Sequence, residues 1–225
     1  MKPLVTLIYV SFLLVFFSSC GINRQLVSSV KPSQIDKILI IKSFAQIDTI
    51  GIGNKPAYDK KTSTEVSEDL LSNIGNLLPY RIKKVSPSSD SVETWRFNQE
   101  MFKIIANVEQ LQKIEGYQIS DTLVGLMEKY DCNYAIGAID VGFSRTKSNY
   151  AKQVAKSIGI GLLTLGMVVP ISYKSTSSMY CFIVDRKNKN IAFFRRDLGI
   201  EKEPTDKMVI FEQVTNMLQP YFSTK

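Results

Sequence analysis

The side chains able to carry chemistry in these 225 residues are few in kind, and histidine is absent. That removes the commonest general base, the Ser-His and Cys-His pairs, and the most usual zinc ligand. Enzymatic work would fall to carboxylates alone, as in a glycosidase. Two of Asp48, Asp59, Glu65, Asp140, Asp185 or Glu201 would have to converge at roughly 5–9.5 Å. No spacing in the sequence pairs any two of them for acid/base work. Asp140 interrupts an apolar strand, where a hydrogen-bonded or edge-facing acid fits better than a lone catalyst. Gly51-Ile52-Gly53 is a fragment of a phosphate-binding glycine pattern, but Pro56 takes the third position and no helix opens there. The residues point away from catalysis and imply no metal and no cofactor.

Three cysteines remain. Cys132 and Cys181 sit in the apolar runs CNYAIGAI and MYCFIV. An oxidising compartment would permit a disulfide between them. Two small buried hydrophobes suit those contexts better.

Cys20 is different. Lys2 is followed by the apolar run Leu4 to Phe17, then Ser18-Ser19-Cys20-Gly21. One charge, a short apolar core and small residues at its end make a secretory signal. The run is too short for a transmembrane helix, which needs about 20 apolar residues. The arrangement resembles the lipobox of bacterial lipoproteins, in the looser form of Bacteroidetes, with Phe17 where the usual lipobox has Leu. The resemblance implies a signal over residues 1–19 and acyl chains on Cys20. Two or three such chains hold a protein on a bilayer permanently.

The net charge is +7 at pH 7. The basic excess is spread along the chain and interleaved with acids, without a dense stripe or aromatic platforms, which excludes nucleic acid as a partner. A modest excess of this kind also suits an anionic membrane surface.

The elements that must position these residues are read from periodicity. Gly21 to Gln34 lacks any and reads as a short tether, so residues 20–34 link the anchor to one domain over 35–222. Ile35 to Phe44 predicts a central strand. Ala45 to Lys61, with Gly51, Gly53, Asn54 and Pro56, predicts a loop. A helix follows over Thr62 to Leu78, opened by a Thr62–Glu65 capping box and stopped at Pro79. Tyr80 to Val85 alternates as an edge strand would. Trp95 to Ile114 carries the stripe Phe97, Met101, Ile104, Ile105, Val108 and Leu111 of a core-facing helix. A shorter helix runs from Ser120 to Tyr130, and a strand from Asn133 to Phe143. Tyr180 to Asp185 and Ile191 to Arg196 form a hairpin. A last helix turns Met208, Phe211, Val214 and Leu218 inward and ends at Pro220. The expected fold class is α/β, with α+β as the variant. It has one mixed central sheet of about five strands with helices packed on it.

One segment does not fit this pattern. Ser157 to Ser172 is uncharged and glycine-rich, and carries Ile158, Ile160, Leu162, Leu163, Leu165, Met167, Val168 and Val169. It is either an exposed hairpin touching a membrane or a partner, or a buried helix or strand pair on the sheet.

The element order resembles the lipoprotein domains related to the TolB amino-terminal domain and the curli-secretion channel lipoprotein. The resemblance rests on KILIIKSF, YAIGAIDVGF, FIVDRKNKNIAFFRR and a closing helix ending in LQPYF, over roughly residues 36–220. It implies a non-catalytic envelope scaffold at the outer membrane, and the short tether, without a long acidic linker, favours the periplasmic face. Its partner would be an unknown envelope protein or further copies of the same chain. A channel-like oligomer using residues 157–172 on the membrane is the alternative.

Overall fold

β6 (Tyr134–Arg145) is the spine of the molecule. Its YAIGAI start is apolar at every position and buried on both faces, as a central strand must be. In this computed structural model, which describes residues 23–87, 91–165, 167 and 170–223, the strand has different neighbours along its two sides. On one side it pairs antiparallel with β7 (Ser175–Asp185), from Tyr134 opposite Asp185 to Ser144 opposite Ser175. On the other it pairs parallel with β2 (Lys37–Ile40) over its first half and with β3 (Phe44–Ile50) over its second.

β7 and β8 (Asn190–Ile200) form the expected hairpin, longer than predicted at both open ends. β1 (Asn23–Val27) closes the sheet outside β8, running antiparallel to it. β5 (Lys83–Val85) pairs with β2, and β4 (Pro56–Tyr58) with β3. The sheet is mixed and has eight strands, rather than about five. Three strands were missed for physical reasons. β1 lies where a tether was expected, and only its pairing with a strand far along the chain defines it. β3 and β4 fall in the expected loop of Ala45 to Lys61. The sequence FAQIDTI mixes polar and apolar positions because one face of β3 buries Ala45 and Ile47 while Gln46 on the other is exposed.

The helices cover both faces. α1 (Lys60–Leu77) and α5 (Lys207–Phe222) lie on one, around Leu70, Ile74, Phe193 and Met217. α2 (Ser91–Leu111) and α3 (Asp121–Lys129) lie on the other, around Phe97, Met101, Leu123 and Phe194. Each fully buried side chain of this size contributes about 1.5–3 kcal/mol. α1 is capped by Asp59, whose carboxylate accepts from the Thr62 N–H at 3.0 Å, and not by a box at Thr62. α5 continues through Pro220 to Phe222. It turns Ile210, Gln213, Val214, Met217, Leu218 and Tyr221 inward, while Met208 and Phe211 are exposed. In α2, Phe97, Met101, Ile104 and Val108 are buried as expected, but Leu111 is exposed.

Cys132 and Cys181 are free and buried on opposite faces of the sheet, so no disulfide joins them.

Candidate functional site

α4 (Lys147–Leu163) leaves the end of β6 and rises from the fold as an arm. Its base is firmly built. The Thr146 hydroxyl caps the helix and the Thr146 N–H donates to the Ile50 carbonyl at 3.0 Å. The Arg145 guanidinium donates to the Tyr173 carbonyl at 2.9 Å, to Asn149 Oδ1 at 2.8 Å and to Asn54 Oδ1. The Asn149 amide donates to the Gly51 carbonyl at 2.7 Å. Asn149 is also the only buried residue of α4.

Beyond that base the helix has little to pack on. The returning chain is tied to it where the Ser157 and Ser172 hydroxyls meet at 3.1 Å. Ile160 is half-buried. Ile158, Leu162, Leu163, Leu165 and Met167 are exposed by 57, 74, 87, 89 and 84%. Val168 and Val169 lie outside the described residues, as does Cys20. The segment is therefore neither a strand hairpin nor a buried element through residue 165. It is the end of a helix and the turn after it, and Leu165 takes a positive φ of 51° there. An exposed apolar surface of this kind is a candidate contact surface.

The arm is basic as well as apolar. From Val141 to Val184 the chain has no carboxylate. Lys147, Lys152 and Lys156 are exposed on α4 before its apolar end, and Lys174 on the returning chain. The lysines lie towards the base and the apolar residues at the tip. This separation runs along the helix axis, not between its two faces. Among the described residues, no helix is long and apolar enough to cross a membrane.

The candidate carboxylates do not assemble into a cleft with one another. Asp59 is the α1 cap. Its N–H partner at Thr62 holds its pKa below the usual carboxylate range. Glu65 is exposed beside Lys61 on α1. Asp185 is buried in the β7–β8 turn, where it accepts from the Lys187 and Asn188 N–H groups and from the Asn188 amide. Glu201 is exposed at a positive φ of 59° just after β8. Asp48 is half-buried on β3, opposite Tyr58. Asp140 is fully buried, and burial pushes its pKa up to about 7. Its partners are Ser177 and, beyond that, Gln213.

Three buried acids were not anticipated, Asp197 beside Lys202 and two on α2. Glu93 and Glu100 both lie on α2 and line a groove of about 710 Å³ against α3. Glu93 accepts from the Tyr130 hydroxyl at 2.6 Å and from Lys129. Glu100 accepts from the Ser120 hydroxyl at 2.6 Å and pairs with Lys103 at 2.8 Å. Each is held by a hydroxyl and a cation, the arrangement that buried charges require. A signal existed in the sequence. Positions 93, 97, 100 and 104 share one helical stripe, so two glutamates occupy core-facing positions. Among the described residues, no group of three metal-ligating side chains gathers.

No family model matches the chain, and no curated protein matches it in sequence. Solved structures share its outline loosely. The PelC dodecamer from Paraburkholderia phytofirmans is 7% identical over 90% of this chain and 98% of that one, with a TM-score of 0.39. A variant of the same protein gives the same identity and score over 88% of this chain. The LpoB C-terminal domain from Salmonella enterica is 8% identical over 76% of this chain and 86% of that one, with a TM-score of 0.29.

Proposed function

We propose that this protein is a non-catalytic, lipid-anchored envelope lipoprotein that serves as a protein-binding or assembly module at the outer membrane. One observation carries the reading. The α4 arm is rigidly built at its base and exposes an apolar tip that nothing within the described residues covers. Such a surface serves attachment. The carboxylates add support, since each one with described partners is engaged in a cap, a turn, an ion pair or hydrogen bonds with neighbouring hydroxyls.

Lipid attachment at Cys20 belongs to the same reading. Replacing Cys20→Ala and fractionating the cells tests it. The protein should move from the membrane to the soluble fraction. If the variant stays with the membranes, the lipoprotein reading fails.

A second reading makes the chain a subunit of a secretion-channel-like oligomer whose arm contacts the membrane. The observation favouring it is topological. β1 runs antiparallel to β8, so the chain enters the sheet at the end from which α4 leaves. Chemical cross-linking of the purified protein should then give a closed ladder of species. Monomers alone at high concentration would exclude the oligomer.

A further inference from the structure

We infer that the α4 arm inserts its tip into a leaflet containing anionic lipid, with the lysines of its base forming a collar at the headgroups. This rests on the reading of the arm as an attachment surface and names what it attaches to.

Three features select a lipid surface as the occupant. The first is length. From Lys156, the last lysine of α4, to Leu163 is about 10 Å at 1.5 Å per residue. Apolar faces of interfacial helices sink roughly 5–10 Å into the headgroup and acyl boundary. The tip is long enough to reach that boundary and too short to cross it.

The second is charge. Lys147, Lys152, Lys156 and Lys174 are exposed, and no carboxylate occurs in the arm or in β7 before Asp185. Glu201 and Glu203 follow β8 at the same end of the sheet. Glu203 meets Ser144 at 3.2 Å, which places it at the foot of the arm. Cations above an apolar tip match a surface with negative headgroups over hydrocarbon. Each lysine near such a surface is worth about fivefold in partitioning.

The third is direction. Asn23 of β1 lies opposite Asp197, and Ile200 of β8 lies opposite Thr176, one residue inside the start of β7. Asn23, the first described residue, therefore lies towards the end of the sheet that carries the arm. Ile52 and Ile200 are also exposed at that end. The described chain enters the sheet three residues after Cys20, on the side that carries the tip, so one bilayer surface can receive both the proposed acyl chains and the tip.

The test uses the full chain with Cys20→Ser and Leu163→Cys, carrying an environment-sensitive fluorophore at position 163. Cys132 and Cys181 are buried and stay unlabelled. The label reports the tip locally, whatever the N-terminal segment does. The labelled protein is mixed with vesicles of phosphatidylcholine, with and without phosphatidylglycerol. Emission should shift to the blue on the anionic vesicles and be quenched by spin labels high on the acyl chains. Replacing Lys147, Lys152, Lys156 and Lys174 together by Gln should weaken this by roughly one to two orders of magnitude in lipid concentration, since Lys147 lies about 13 Å further from the tip than Lys156. An unchanged melting temperature will show that the variant still folds.

Equal response on neutral and anionic vesicles overturns the lysine collar. A blue shift that grows with protein concentration in the absence of vesicles overturns the lipid inference, because a second copy then covers the tip. In that case the attachment reading stands. A probe that stays water-exposed on vesicles, at high protein concentration and in native membranes overturns both.

Discussion

Ser177 Oγ stands 3.0 and 3.1 Å from the two carboxyl oxygens of Asp140 and 2.9 Å from Gln213 Oε1. All three groups are buried. One hydroxyl has one proton to give, yet three acceptor oxygens surround it. A neutral Asp140 resolves the shortage. Its own proton goes to Ser177 Oγ, and the Ser177 proton goes to Gln213. The Gln213 amide then donates to the Ser177 carbonyl at 3.3 Å.

This arrangement gives a pH dependence. Burial first, then the nearby Asp197, raise Asp140 from 3.8 to about 7, while the Ser177 hydrogen bond opposes them. Asp197 itself is paired with Lys202 at 2.9 Å. The folded pKa is raised, so this stabilising contribution is complete below about pH 4 and is lost as pH rises through 7. Asp140→Asn keeps a donor for Ser177 and removes the titration. Relative to wild type, the variant should gain about 1.4 kcal/mol for each pH unit between about pH 4 and 7. Urea unfolding of both proteins across that range measures it. A constant difference would show that Asp140 titrates normally.

Two glycines should respond to alanine in opposite directions. A Cβ on Gly142 would lie 2.3 Å from the Thr176 carbonyl oxygen, inside the β6–β7 ladder. Gly142→Ala must part the strands and should cost about 1–3 kcal/mol, the range for an overpacked site. Gly159 lies in α4 with open space around it. Gly159→Ala should stabilise the arm by about 0.5–1 kcal/mol. Thermal unfolding reads the first and hydrogen exchange of α4 amides the second.

The two domain thiols should be silent. Burial pushes Cys181 up to about 12 and raises Cys132 as well. Neither has thiolate to offer near neutral pH. With Cys20 replaced, a thiol reagent should label the native protein negligibly and label two cysteines in guanidinium. Rapid labelling of the folded protein would contradict the burial of both.

Tip and core should separate in stability. Leu163→Asp changes an exposed side chain with no described packing and should leave the melting temperature within about 2 °C. Phe193→Ala empties a fully buried site stacked on Tyr221 at 4.7 Å and should cost about 3–5 kcal/mol. A large loss from Leu163→Asp would mean that the arm packs on the domain.

The sequence made some of this legible and hid the rest for identifiable reasons. β6, the β7–β8 hairpin and α2 each carry their own periodicity, so local reading found them. β1 and β4 carry almost none, because they are short edge strands whose pairing partners supply the order. Asp140 stood out as an acid in an apolar strand. Ser177 and Gln213, which explain it, come from β7 and α5 and could not be placed beside it. The arm was visible as an uncharged glycine-rich run. Such a run fits an exposed hairpin, or a buried helix or strand pair, and it is an exposed helix end that holds Gly159 and Gly161. Gly159 has open space around it and so meets no packing need, and a helical glycine costs only about 0.5–1 kcal/mol.

β1 has a consequence for the order in which the molecule is made. Gln25 and Arg195, bridged at 2.7 Å, are 170 residues apart in sequence. The first strand to be synthesised must wait for the last. Until it docks, the edge of β8 is bare along Ile191-Ala192-Phe193-Phe194, a short, uncharged, β-prone run of the kind that recruits other chains. Contacts this distant close slowly. The newborn chain therefore spends its most vulnerable interval with its stickiest edge open, and the segment that ends the danger is the one next to the proposed lipid site.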